Sequence, residues 1–230
     1  MEFHFEKIPG VLISLIHIAL VILSFPLIRT NAIFRTFFVW MLVNSVWTLS
    51  GAFFWISKDN FFDYAMGISL SFSPVSIFVF CYTYLKGKMP KSLLLLFLLP
   101  AIIWIPSQII GTCKVSGKEF GIIQMPFMIL FDLLSGFLLF QCYRKKSNNL
   151  NINQDKYHLG AVLFLFLNFP TIIVAGTSYY LSYFIIDAPA FLPWLGDLFI
   201  GLCSILNFIV LNSIFQNHSN SNERESRIVS

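Results

Sequence analysis

Long apolar runs separated by short polar clusters make up almost the whole chain. The runs occupy approximately Ile8 to Ile28, Phe34 to Ile56, Phe62 to Leu85, Ser92 to Ile110, Phe120 to Tyr143, Tyr157 to Tyr179 and Phe191 to Phe215. Each exceeds the roughly 17 residues that cross about 30 Å of hydrocarbon at about 1.5 Å per residue. The pattern therefore predicts an all-α fold, a polytopic membrane bundle of seven transmembrane helices over residues 1–215. A polar cytoplasmic tail, expected to be flexible, follows at 216–230.

Composition agrees with that solvent. Of the 230 residues 57% are hydrophobic and 11% charged, whereas a soluble domain keeps about a quarter of its residues charged. The net charge of +4 suggests an acidic partner only until the charges are located. With the N-terminus outside, Arg29, Arg35, Lys86, Lys88, Lys91, Arg144, Lys145, Lys146, Lys156, Arg224 and Arg227 fall on the inner side. Only Lys7, Lys58, Lys114 and Lys118 fall outside, together with Glu2, Glu6, Asp59, Asp63, Glu119 and Asp187. Because Lys and Arg accumulate in short cytoplasmic loops, the expected topology is N-terminus out and C-terminus in, in a multi-pass protein of the cell membrane. Nucleic acid is not an expected partner. The first run opens with Glu2, Glu6 and Lys7 and stays apolar beyond the 7 to 15 residues of a signal-peptide core, so it reads as a retained helix.

Several chemistries lack their residues. No Lys follows Lys156, so a Schiff base to retinal in the last span has no amine. His4, His17, His158 and His218 are scattered among segments, unlike the His pair and Glu that share one helix face in a zinc protease. Gly67-Ile68-Ser69-Leu70 is followed by Ser71 where a serine hydrolase elbow needs Gly. No phosphate loop or CxxC occurs, and Cys113 is alone on the outer side. Neither an enzyme nor a bound cofactor or metal is expected.

Polar residues at membrane depth carry the remaining information. Asp132, roughly 18 Å from the outer end of the fifth run, is an isolated acid in Leu130-Phe131-Asp132-Leu133. A charged carboxylate there costs about 2.5 to 3.5 kcal/mol on insertion scales, so it should face the bundle interior or be protonated. Its expected role is either a hydrogen-bond donor to another helix or an anion pairing with a cationic ligand. Asp197, about 9 Å below the outer end of the seventh run, is a second candidate, although water near Trp194 is within its reach. Asn44 and Trp47 share a face of the second run. Ser69, Ser73 and Ser76 recur at helical spacing around Pro74 in the third, where small hydroxyl residues also serve as ordinary helix glue. Asn168-Phe169-Pro170 interrupts the sixth run, and His17 lies mid-depth in the first. A partly polar cavity among helices 2, 3, 5, 6 and 7, open to the outside, is the expected home of Asn44, Ser73, Asp132, Asn168 and Asp197.

The run Arg29-Thr30-Asn31, with Phe37-Phe38, Trp47, and Ser73-Pro74 through Phe78, Phe80, Tyr82 and Tyr84 to Lys86-Gly87, resembles the seven-helix sensor region that precedes the catalytic part of some membrane histidine kinases. The residue matches lie in about the first third of the chain. The resemblance implies sensing of a small ligand or of membrane state, with output at the cytoplasmic end. No kinase or nucleotide-binding segment is expected after Phe215, so the resemblance further implies signalling through a cytoplasmic partner. Two other classes stay open: a small-solute transporter of two three-helix repeats, and a structural subunit whose polar residues only join helices. The first and last three spans show no evident self-similarity, and no Pro-Gln pair of the kind associated with such transporters occurs.

Overall fold

The computed structural model describes residues 8–29, 32–57, 59–86, 88, 90–100, 102, 106, 126–127, 129–138, 140–141, 198 and 200–212. Among them every element is helical. Helix α1 (Ile8–Ser24) tightens into a 3₁₀ segment at Phe25–Arg29, where Pro26 has no N–H to continue the α ladder. Helices α2 (Ala32–Ser57) and α3 (Asn60–Lys86) follow with tight connections, so the three run up, down and up. Among the described residues three helices are long and apolar enough to cross a membrane, over Gly10–Arg29, Ala32–Phe54 and Asn60–Tyr84. Shorter apolar helices cover Lys91–Pro100, Ile129–Leu138 and Ile200–Asn212. They fall within the fourth, fifth and seventh predicted runs, and the sixth lies outside the described residues.

Local chemistry fixes the ends. Asp59 precedes α3, and its carboxylate accepts the N–H of Phe61 at 2.9 Å, an N-cap of the usual kind. Asp63 in the first turn and Lys86 in the last complement the helix dipole. At the other end of the bundle Arg35 Nε donates to the Ile28 carbonyl at 2.9 Å, satisfying a carbonyl that the end of the first span leaves open. Beyond Pro90 the chain turns with 3₁₀ geometry over Lys91–Phe97, Leu93 N–H donating back to the Pro90 carbonyl.

The faces of these helices are inverted relative to a soluble bundle. On α2 the exposed positions include Val39, Leu42, Val46, Leu49, Phe53 and Ile56, spaced alternately by three and four. Its buried face contains Thr36, Asn44, Ser45, Thr48 and Ser50. Helix α1 does the same, exposing Val11, Leu12, Leu15, Ile22 and Leu23 while burying Ser14, His17 and Ser24. So does Ile129–Leu138, with Leu130, Leu133 and Leu134 outward and Ser135 inward. An aliphatic exterior with polar groups inside is unfavourable in water and favourable in hydrocarbon.

Among the described residues two apolar clusters pack the interior. The larger joins Leu20 of α1, Phe37, Trp40 and Met41 of α2, Ile77, Phe80 and Tyr84 of α3, and Leu211. Its rings interlock, Trp40 stacking on Phe80 at 5.3 Å and Phe37 meeting Phe80 at 5.8 Å and Phe208 at 6.1 Å. The second lies on another face of α3, where Val75, Phe78 and Val79 receive Phe131 from Ile129–Leu138 and Leu93, Leu96 and Phe97 from Lys91–Pro100. Gly201 faces Ile13, Ser204 faces His17, and Leu211 joins the cluster containing Leu20. The last described helix therefore runs parallel to α1, and its C-terminal end points the same way as that of α1.

Close approach needs glycine at two crossings. A Cβ on Gly51 would meet Met66 Sδ of α3 at 3.2 Å, and one on Gly201 would meet Ile13 Cγ1 at 3.1 Å. Gly201→Val, which adds three carbons at the tighter contact, is expected to destabilise the fold by about 1–3 kcal/mol. Thermal unfolding in detergent checks this, with no downward shift counting against the crossing.

Candidate functional site

Hydroxyl groups in hydrocarbon have no water to bond, and most of those in these helices turn back on their own backbone. Ser14 donates to the Gly10 carbonyl, Ser45 to Met41, Ser69 to Ala65, Ser71 to Gly67, Thr83 to Val79 and Ser135 to Phe131, all at 2.7 to 2.8 Å. This arrangement satisfies the hydroxyl without a second helix. Of the three Ser around Pro74, Ser69 and Ser76 behave this way. Ser73 instead donates across the interface to Asn44 Oδ1 of α2 at 2.8 Å.

Asn44 continues the connection through its backbone. Its carbonyl accepts the Thr48 hydroxyl at 2.8 Å, and Thr48 Oγ1 lies 3.5 Å from His17 Nδ1 of α1. The other ring nitrogen, Nε2, lies 3.1 Å from Ser204 Oγ, and Ser204 donates to the Ile200 carbonyl at 2.9 Å. His17 is fully buried. Ser73, Asn44, Thr48, His17 and Ser204 thus form one polar chain through α3, α2, α1 and the Ile200–Asn212 helix.

Proton counting constrains the chain further. Thr48 and Ser204 each have one proton, and each directs it at a backbone carbonyl. Both hydroxyls therefore offer lone pairs to the imidazole. A neutral ring has one N–H and one bare nitrogen. With the proton on Nε2, His17 donates to Ser204 over the shorter separation. Nδ1 then gains a donor only if the Thr48 proton leaves the Asn44 carbonyl. In that tautomer the Thr48 hydroxyl can bond in two ways, serving α2 alone or joining α2 to α1.

The remaining sequence candidates lie elsewhere. Trp47 is half-buried, one position before Thr48. Asp132 is half-buried on Ile129–Leu138, between exposed Leu130 and Leu133 and next to buried Phe131. Phe131 packs edge-on against Phe78 at 5.8 Å, which puts the helix bearing Asp132 beside α3. Both ring nitrogens of His17 face α2 and the last helix. Asp197 and Asn168 lie outside the described residues. Among the described residues no three His, Cys, Asp or Glu side chains group as a metal site would require.

Sequence reasoning missed Thr48 and Ser204. Thr48 had a signal, standing four residues after Asn44 on the same helical face. Ser204 stands two turns after Asp197, but no periodicity says which helix it meets. Asn207, which donates to Cys203 Sγ at 3.6 Å, and Asp63, whose side chain is buried, were also not singled out as interior polar groups.

No protein-family model, curated protein or solved structure matches the chain. A double-mutant cycle between His17→Ala and Ser204→Ala should give a coupling of about 0.6 kcal/mol and at most about 1.7 kcal/mol, the range for interhelical hydrogen bonds in a bilayer. Unfolding of the four proteins in lipid-detergent mixtures measures it, and additive effects would mean that the 3.1 Å contact contributes nothing.

Proposed function

We propose that this chain is a seven-span protein of the cell membrane, N-terminus outside, which senses a small ligand or a membrane state and signals through a cytoplasmic protein. The observation that carries this reading is the polar chain from Ser73 to Ser204, which couples the last helix to the first three. A sensor needs an element with two discrete arrangements whose balance a ligand shifts. The Thr48 hydroxyl supplies one, since its single proton serves either Asn44 or His17. A movement of the α2 backbone at Asn44 would alter what Thr48 offers His17, because the carbonyl that accepts the Thr48 proton belongs to that backbone. The helix bearing Ser204 ends at Asn212 on the side of Arg29, Arg35 and Lys86, where output to a cytoplasmic partner would occur.

Chain parity supports the span count. The last described helix is parallel to α1, and α3 ends on the basic side. If these helices cross the membrane, an odd number of crossings separates Lys86 from Ile200. The three apolar runs between them meet that condition. In the protein expressed in cells, an impermeant thiol reagent should label Cys113 from outside, and a reporter after Ser230 should be cytoplasmic. Labelling of Cys113 only after permeabilisation would overturn the seven-span topology.

Asp132 is the proposed second element, an acid at membrane depth on a helix packed against the face of α3 that carries Val75 and Phe78. Asp132→Asn keeps shape and hydrogen bonding and removes the charge, whereas Asp132→Leu removes both. A tagged full chain should copurify a cytoplasmic signalling protein, and Asp132→Asn should insert normally yet alter that association. Full association in Asp132→Asn with misfolding in Asp132→Leu would make the residue structural. Solute flux into proteoliposomes of the purified chain, without a copurified partner, would replace sensing by transport.

A further inference from the structure

The five described basic residues lie at one end of the bundle. Arg29 ends the first span, Arg35 stands in the first turn of α2, Lys86 ends α3, and Lys88 and Lys91 follow it. All five are exposed. The described acids are elsewhere, Asp59 and Asp63 at the opposite end and Asp132 along its helix. The cations therefore have no carboxylate beside them among the described residues. Arg35 is also held in place, because its Nε bond to the Ile28 carbonyl fixes the guanidinium at the turn between α1 and α2.

The same end exposes apolar side chains immediately below the charges. Phe25 is 59% exposed next to Arg29, and Leu94 and Leu95 are 49% and 63% exposed next to Lys91. A soluble acidic partner would match the cations and gain nothing from these groups. A molecule with an anionic head and hydrocarbon tails matches both.

We infer that Arg29, Arg35, Lys86, Lys88 and Lys91 form a binding rim for anionic phospholipid headgroups, whose acyl chains lie against Phe25, Leu94 and Leu95. The guanidinium groups present the planar fork that pairs with phosphate oxygens, and the Lys ammonium groups act as point charges around it. Clusters of four to eight basic residues beside a membrane helix attract anionic lipid in this way. The rim requires no sensing role, so it stands or falls separately from the proposed function.

The full chain, purified in zwitterionic detergent, is equilibrated with phosphatidylglycerol or phosphatidylcholine of the same acyl composition, and retained lipid is quantified by mass spectrometry. Phosphatidylglycerol should be preferred, and raising the salt should weaken that preference. Lys86→Gln, Lys88→Gln and Lys91→Gln together should reduce it by about fivefold for each charge removed, while the three Lys→Arg replacements should retain it. Equal retention of the two lipids overturns the proposal, as does an unchanged preference in a folded Gln variant. If the Gln variant does not fold, the salt titration of the native chain decides, and a salt-independent preference is negative. Displacement of phosphatidylglycerol by inorganic polyphosphate as readily as by more phosphatidylglycerol would assign the rim to a soluble polyanion instead.

Discussion

A hydroxyl proton can make one good hydrogen bond, and inside hydrocarbon every such bond must be found within the protein. The architecture of the described helices depends on that constraint. Leaving a polar group unpaired in the bilayer costs several kcal/mol, whereas an interhelical hydrogen bond there contributes only about 0.6 kcal/mol on average. The penalty is therefore larger than the gain, and it governs where polar residues are placed. Most Ser and Thr side chains are satisfied by their own helix and place no demand on a neighbour. Asn44 and His17 have functional groups that a single turn of backbone does not satisfy, so their contacts cross between helices.

These few crossing contacts specify the arrangement more than they stabilise it. Between helices in lipid the hydrophobic effect supplies little net attraction, because lipid tails are as apolar as Leu, and association depends on close packing. Trp40, Phe37, Phe80 and Phe208 provide interlocking surface. Gly51 and Gly201 remove the atoms that would hold helices apart. The His17 contacts to Thr48 and Ser204 add a directional requirement to that packing. The crossing at Gly201 and the bond at Ser204 are one turn apart on the same helix, so packing and polar specification act at the same place.

The charges at the helix ends follow the complementary rule. Asp59 caps α3 at the end where backbone N–H groups are unmet, and Arg35 meets a carbonyl at the opposite end. Polar termini with an aliphatic middle fix how deep each helix sits. They also gather Lys86 with Arg29 and Arg35, although Lys86 is far from both in sequence.

Much of this was legible in the sequence because it depends on composition along one helix. Apolar runs of spanning length located α1, α2 and α3 within a few residues of their observed ends, since a continuous run of about 20 apolar residues has few alternatives. Asn44, Ser73 and His17 were recognisable as interior polar residues because each interrupts such a run. Their partners were not recognisable. That Ser73 reaches Asn44 while Ser69 and Ser76 do not depends on which flank of α3 faces α2, and a helix whose polar residues are spread around its circumference carries no periodic signal of its own rotation. That Ser204 meets His17 depends on the last helix returning parallel to α1, a contact between residues 187 positions apart. Sequence determined which residues require a partner, because that follows from chemistry and solvent. The tertiary structure decided which partner each received, because rotation and adjacency of apolar helices are fixed by packing between elements and not by pattern within them.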